Sequence, residues 1–262
     1  SKYVSDNKDD FCRAIINKLV EFSFENIFNE KFDFFADIFE YLIKDYNTSS
    51  GQTYAEYYTP HAVSKVIANI LIENKINNVT CHDPSSGSGT LLMNLSHAIG
   101  EDKCSIYSQD ISQKSTYLIR LNLILNNLVH SIPNVVHGNT ILSPYHRDTK
   151  EKLKKFDYIV SNPPFKTDFS KYREKLLDES NSERFFLGVP KVPKLEKEKK
   201  KMAIYFLFIQ HIIHCLSKNG KAAIVIPTGF ISLKSGIGLK IREYLIKNFM
   251  VSGLVKMPSN IF

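Results

Sequence analysis

The sequence predicts an α/β protein built on an open, mainly parallel sheet with helices on both faces. Three observations predict it. Past residue 78, short runs rich in β-branched and aromatic residues alternate with longer runs of helical period. Asp83, Asp110 and Asn162 stand just past three of the short runs, where open α/β sheets bind their ligands. A glycine- and serine-rich turn, Asp83-Pro-Ser-Ser-Gly87-Ser-Gly89, joins the first short run to a helix.

At the start of the chain, Phe35, Ile38, Phe39 and Leu42 recur at i, i+3, i+4 and i+7, one face of a helix. Asp33 and Asp37 near its start suit the helix macrodipole. Asn47 to Gly51 is a polar break, so residues 1–50 read as a short helical segment and 51–262 as the α/β domain. Thr59-Pro60 reads as an N-cap with proline at the first helical position. Val63, Val66, Ile67, Ile70 and Leu71 are the expected apolar face of that helix. Strands are expected over 78–82, 105–109, 134–137, 156–160, 221–226 and 251–257. Helices are expected from Thr90, along Tyr117, Leu118, Leu121, Leu125 and Leu128, over 202–217, and over 237–248. The 202–217 helix is apolar nearly all round and should be buried. Lys166 to Lys201 is long and charged, with few core-type residues outside Arg184 to Val189, so a mobile loop is expected.

Composition narrows the classes. With 43% hydrophobic and 23% charged residues, the chain is not disordered throughout. The longest apolar stretch, Met202 to Leu216, contains Gln210, His211 and His214, too short and polar to cross a membrane. The opening Ser1 to Asp10 is polar and acidic, unlike a signal peptide. Cys12, Cys81, Cys104 and Cys215 form no CxxC pair and have no metal-ligand spacing, which fits a reduced cytoplasmic protein without a metal. His211 and His214 have no accompanying carboxylate and read as packing residues. A net charge of +7 favours a polyanionic partner. The six lysines and two glutamates of Lys191–Lys201 read either as a solvated loop or as a phosphate-contacting segment.

Four segments carry chemistry. In the Asp83–Gly89 turn, Gly87 and Gly89 let backbone approach a ligand, although an ordinary turn has the same composition. No Gly-Lys-Ser/Thr comes after it, as a triphosphate loop would need, and leucine replaces the third glycine of a dinucleotide fingerprint. A carboxylate at its mouth would repel pyrophosphate but suits a ligand carrying an ammonium group. Asp110, preceded by Gln109, holds the position where Rossmann-type sheets set an acid on ribose hydroxyls; a helix cap is the simpler alternative. In Asn162-Pro163-Pro164-Phe165 the prolines stiffen the backbone. The Asn162 amide oxygen and a neighbouring carbonyl can then serve as paired acceptors beside an aromatic plate. That arrangement suits a planar substrate bearing an NH2 group. Glu56-Tyr57-Tyr58-Thr59-Pro60-His61 opens a helix whose free amides and Thr59 hydroxyl can receive a carboxylate.

Together these segments resemble the N6-adenine DNA methyltransferases, and in particular the modification subunits of type I restriction-modification systems. The resemblance runs from about Phe35 to Phe262 and includes the later strings Gly-Asn-Thr, Gly-Lys-Ala-Ala-Ile-Val-Ile-Pro and Met-Pro-Ser-Asn-Ile-Phe. Glu56 and Asp110 depart mildly, since the family often has Gln and Glu there. The resemblance implies a Rossmann-like S-adenosylmethionine-dependent methyltransferase sheet, preceded by a remnant of a helical domain. It implies that Glu56 to His61 and Gly87, Ser88 and Gly89 surround the methionine end of the cofactor, with Asp83 near its ammonium. Asp110 would hold the ribose and Asn139 would reach the cofactor adenine. Asn162 and Pro163 would accept hydrogen bonds from the N6 of a flipped-out adenine, with Phe165 stacked on the base. Implied partners are double-stranded DNA, a specificity subunit and a restriction subunit. Family members add a seventh, antiparallel strand, so a longer protein is expected. An RNA-base or protein-glutamine methyltransferase shares Asn-Pro-Pro-aromatic, and a cofactor-free nucleic-acid-binding module is a third reading. Cytosine-C5 chemistry is disfavoured: it needs a nucleophilic cysteine, typically after proline, and none of the four cysteines follows proline.

Overall fold

The computed structural model describes residues 59–73, 76–258 and 261, together with the exposed helical positions 9, 10, 13, 14 and 17. The helix expected along Phe35 to Leu42, the break at 47–51, and Glu56, Tyr57 and Tyr58 lie outside the described residues. Five parallel strands form one sheet: β1 (Val79–Asp83), β2 (Cys104–Asp110), β3 (Val135–His137), β4 (Phe156–Ser161) and β5 (Leu216–Ile224), in the order β3-β2-β1-β4-β5. The chain moves outward from β1 through β2 to β3, then returns to β1's other side for β4. The reversal puts a crevice beyond the carboxyl ends of β1 and β4. Asp83, Asp110 and Asn162 all stand at that edge.

The pleat sorts side chains between two layers. Cys81, Ile106, Val135 and Val160 face α1 (His61–Leu71), α2 (Thr90–Ile99) and α3 (Gln113–Leu125), closing on Leu71, Leu92, Leu95, Ile119 and Leu123. On the opposite face, Phe156 and Ile159 meet Ile212 and Cys215 of α4 (Tyr205–Cys215). As its composition predicts, α4 is buried nearly all round. Beside it, Ile241 of α5 (Gly236–Lys247) packs with Tyr205, Ile209 and Phe230. No long helix links β3 to β4; the loop between them covers this face instead. It brings His146 edge-on to His82 (centroids 5.4 Å), while His82 stacks on Phe156 at 4.3 Å. His211 is buried nearby, beside Cys215 Sγ.

Several expectations need correction. Helix α3 buries Thr116, Ile119, Asn122 and Leu123, while Tyr117 and Leu121 of the expected face are 57% and 42% exposed. The polar pair is accommodated by hydrogen bonds: Thr116 Oγ1 donates to Ser112 O (3.0 Å) and Asn122 Nδ2 to Ser88 O (2.9 Å). Ile119 meanwhile packs where Gly89 lacks a side chain; a Cβ there would lie 2.7 Å from Ile119 Cγ1, and Gly89 has φ +90°. Gly89→Ala should therefore destabilise the fold by about 2–4 kcal/mol. An unchanged denaturant midpoint would show that α3 does not rest on this glycine. In α1, Val66 and Ile70 of the expected face are likewise exposed.

The fifth strand starts earlier than expected, directly after α4, because a bulge shifts its pairing from Phe156↔Leu216 to Tyr158↔Lys221. Gly220 sits in that bulge against Phe156 O, leaving no room for a Cβ. Residues 251–257 do not form the expected sixth strand: they pair with no described strand, and Val251, Leu254 and Val255 are exposed. Nor is 166–201 an unpacked loop. Phe169, Leu176, Phe185 and Val189 form a second core with Ile141, Met202, Ile204, Leu207 and Phe208. Buried Arg184 ties it down, donating to Thr140 O (3.1 Å), Ile141 O (2.6 Å) and Asn181 Oδ1 (2.6 Å). The lysines at 191, 194, 197, 200 and 201 remain on its outside, at least partly exposed.

Candidate active site

The crevice is a polar cleft lined by Thr59, Asp83, Ser85, Ser86, Gly87, Ser88, Thr90, Leu91 and Asn162. Strand ends, the glycine turn and the approach to α1 all contribute to it, so residues far apart in the chain meet only because β1 lies between β2 and β4.

Asp83 ends β1 and is 1% exposed. Its Oδ1 accepts from Ser85 N (2.9 Å) and Ser85 Oγ (3.4 Å), and Ser85 Oγ lies 2.7 Å from Ser161 Oγ at the end of β4. Burial pushes its carboxyl up to about 8; the Ser85 amide opposes the shift and the Asp110 charge adds to it. The glycine turn then reverses the chain with Gly87 and Gly89 at positive φ. Gly87 N donates to Asp110 Oδ2 (2.8 Å), and Ser112 N to Asp110 Oδ1 (2.8 Å). Asp110 therefore braces the glycine turn and also closes the turn that leads from β2 into α3. Burial raises its carboxyl too, against these two donors. Ser86 Oγ is buried and has no hydrogen-bond partner among the described residues.

On the opposite wall, Asn162 Nδ2 donates to Thr59 Oγ1 at 3.1 Å. Thr59 is not the cap of α1: the helix begins at His61, Pro60 is its N-cap residue, and that residue makes no side-chain cap hydrogen bond. Pro163 is buried, Pro164 and Phe165 are half-buried, and Phe165 meets the Tyr205 ring edge-on at 6.3 Å. Thr167 N donates to Met202 O (3.0 Å), closing the loop behind them.

The structure thus brings together Thr59, Asp83, Gly87, Ser88 and Asn162 in one cleft, with Asp110 behind the glycine turn and Gly89 under α3. His61 turns instead toward α2, its Nδ1 3.4 Å from Asn94 Nδ2. Asn139 commits its Oδ1 to Ile141 N (3.0 Å) and Leu142 N (3.1 Å). Ser85, Ser86 and Ser161 are cleft or network residues that sequence reasoning does not single out. Two of them lie inside the Asp83–Gly89 turn, but the Ser85–Ser161 contact depends on β1 and β4 being neighbours. Gln109 serves structure: it donates to Ser143 O (2.9 Å) and accepts from Tyr145 N (3.0 Å), holding the β3–β4 loop.

Residues 30–262 match the profile of the N-6 DNA Methylase family. The chain belongs to that family. Among relatives of this N-6 DNA methylase chain, the type I restriction enzyme MpnII methylase subunit of Mycoplasma pneumoniae is 28% identical over 236 residues, 88% of this chain and 42% of the relative. The type I restriction enzyme MjaIX methylase subunit of Methanocaldococcus jannaschii is 28% identical over 254 residues, 95% and 42% of the two chains. A solved type I restriction-modification methyltransferase subunit from Streptococcus thermophilus superposes with TM-score 0.60 at 25% identity, covering 81% of this chain and 43% of that one. The N-6 DNA methylase chain therefore spans less than half the length of these relatives. Its parallel sheet with flanking helices is the fold of the S-adenosylmethionine-dependent methyltransferases. Among the described residues, no helix is long and apolar enough to cross a membrane.

Proposed function

We propose that the chain is the catalytic part of a site-specific DNA adenine-N6 methyltransferase that takes its methyl group from S-adenosylmethionine. It would act as the modification subunit of a type I restriction-modification complex, on double-stranded DNA in the cytoplasm, with a specificity subunit and a restriction subunit. One observation carries the reading: the Asn162 amide faces the Asp83–Gly89 turn across a single cleft at the strand-reversal point. The family match favours DNA adenine over an RNA base or a protein glutamine.

The cleft residues fit the cofactor. Ser86 Oγ is a buried hydroxyl lacking a partner among the described residues, and Asp83 is a buried acid lining the same space. Together with Thr59 and the turn they can receive a zwitterionic amino-acid end. Asp110 uses one site on each oxygen for backbone donors, leaving further lone pairs for ribose hydroxyls. When bound, the cofactor supplies a methyl on a cationic sulfonium, a good leaving group. The protein's task is then positioning. Asn162 would accept an N–H of the target amine, and Phe165, held by Tyr205, would offer the base an apolar face. Extracting the base from the duplex costs a few kcal/mol. The half-buried Phe165 packs against the cluster of Tyr205, Ile209, Phe230 and Ile241, and Thr167 N bonds to Met202 O, so the loop's shape is in place before the base arrives.

Comparing modified bases in DNA from cells with and without the protein tests the function; absence of any N6-methyladenine difference would sink it. Asp110→Ala should weaken cofactor binding by about 1.5–3 kcal/mol, the loss of charge-assisted hydrogen bonds. Calorimetry reads this directly, and an unchanged affinity would remove Asp110 from the cofactor site.

A further inference from the structure

Among the described residues the side-chain amide of Asn162 makes one hydrogen bond, Nδ2 donating to Thr59 Oγ1. Thr59 is 9% exposed and lines the same cleft. It stands one residue before the N-cap Pro60, so its hydroxyl is outside the capping position of α1. We infer that Thr59 is a positioning residue for Asn162: its hydroxyl oxygen takes the amide N–H and so turns the amide oxygen toward the substrate amine. The inference rests on Asn162 being the acceptor for that amine.

The chemistry makes this orientation conditional. A hydroxyl both donates and accepts, so facing a bare primary amide it can satisfy either flip. Once its single hydrogen is donated elsewhere, only lone pairs remain toward Asn162, and the amide must present Nδ2. Thr59 stands at the N-terminal end of α1, where the helix macrodipole favours a carboxylate. A carboxylate there would accept a hydrogen bond from the Thr59 hydroxyl and so favour the flip that points the Asn162 oxygen outward. Filling the cofactor end of the cleft thereby readies the base end, through one hydroxyl.

The test uses the intact protein with the subunits it requires. Thr59→Val keeps the shape and removes the acceptor; Thr59→Ser keeps the hydroxyl. With cofactor and DNA saturating, T59V should slow single-turnover methyl transfer about tenfold or more, the scale of one lost hydrogen bond. T59S should recover most of that loss. T59V combined with Asn162→Ala should be no slower than N162A alone. In the unloaded protein, T59V and N162A should each lower the unfolding midpoint, and the double variant should lower it no further than the larger single change. A wild-type single-turnover rate in T59V, or additive effects in both cycles, would overturn the inference. Normal turnover in N162A would instead overturn the assignment of Asn162, a separate failure.

Discussion

Replacing Asn162 with alanine should lower methyl-transfer turnover by about 100- to 1,000-fold, the cost of removing one preorganised polar group at a reacting centre. Cofactor affinity should stay close to normal, because Asp83, Ser86 and the glycine turn are untouched. The reason for so large an effect lies in the amine. The lone pair of an adenine amino group is drawn into the ring, and an acceptor on its N–H favours the pyramidal nitrogen that can attack a methyl group. Asn162 is suited to this because Ser161 is locked in β4, Pro163 is buried behind it, and Thr59 holds the amide. Single-turnover kinetics with labelled cofactor measure the rate, and calorimetry measures the affinity. Near-normal turnover would remove Asn162 from the reaction; lost cofactor binding would make it a cofactor residue instead.

Asp83 should impose a pH dependence on both folding and ligand binding. Its carboxyl is raised to about 8 in the folded protein by burial. In the unfolded chain it titrates near the ordinary value of about 4. Between these values the folded state keeps a proton that the unfolded state loses. This contribution to stability is therefore present in full below about pH 4 and declines as pH rises to about 8, by on the order of 5 kcal/mol. Asp83→Asn should flatten that slope in denaturant titrations; an unaltered slope would mean the carboxyl is ionised when folded. A cationic ligand reverses the preference and makes Asp83 give up its proton. Cofactor binding at about pH 7 should then release about one proton more in the wild type than in D83N. Calorimetry in buffers of different ionisation enthalpy counts it, and equal proton release in both proteins would refute the linkage. The acid side behaves oppositely. His82 and His211 are held neutral by burial, with the nearby His146 and Arg184 respectively opposing protonation further. Below about pH 6.5 the unfolded chain takes up protons these rings refuse, so their share of stability is lost as pH falls.

The parts of the fold legible in the sequence are those with strong local signals. Val79–Asp83 and Phe156–Ser161 are short runs with β-branched or aromatic residues that end in turn signals, and the alternation around them implies a parallel sheet. That pattern by itself puts Asp83, Asp110 and Asn162 at one edge. The buried face of α3 is not legible. Tyr117, Leu121 and Leu125 carry a helical period, whereas burial is set by Ile119 against Gly89 and by hydrogen-bonded Asn122. Phe169 and Leu176 do not stand out as core residues, because both stand in a strongly charged stretch and their partners Ile141 and Leu207 are remote in the chain. Thr59 has the local pattern of a cap, while its actual partner is Asn162, 103 positions away. Local patterns report periodicity and turn chemistry. They do not report which distant group will compete for a hydroxyl.

The irregular stretch between β4 and α4 has its shape stored in a few side chains. Arg184 satisfies the carbonyls of Thr140 and Ile141, Gln210 accepts from Leu187 N and donates to Gly188 O, and Arg173 Nε reaches Pro190 O. These groups do for a loop what a ladder of main-chain bonds does for a strand. Tolerance to change is therefore sharply uneven along it. The outward lysines and glutamates can drift with little cost to folding, whereas even Arg184→Lys forfeits a planar fork that serves several acceptors at once. Over evolutionary time, such a segment can rewrite the chemistry of its outer face while the loop beneath, which presents Asn162 and Phe165, stays where it is.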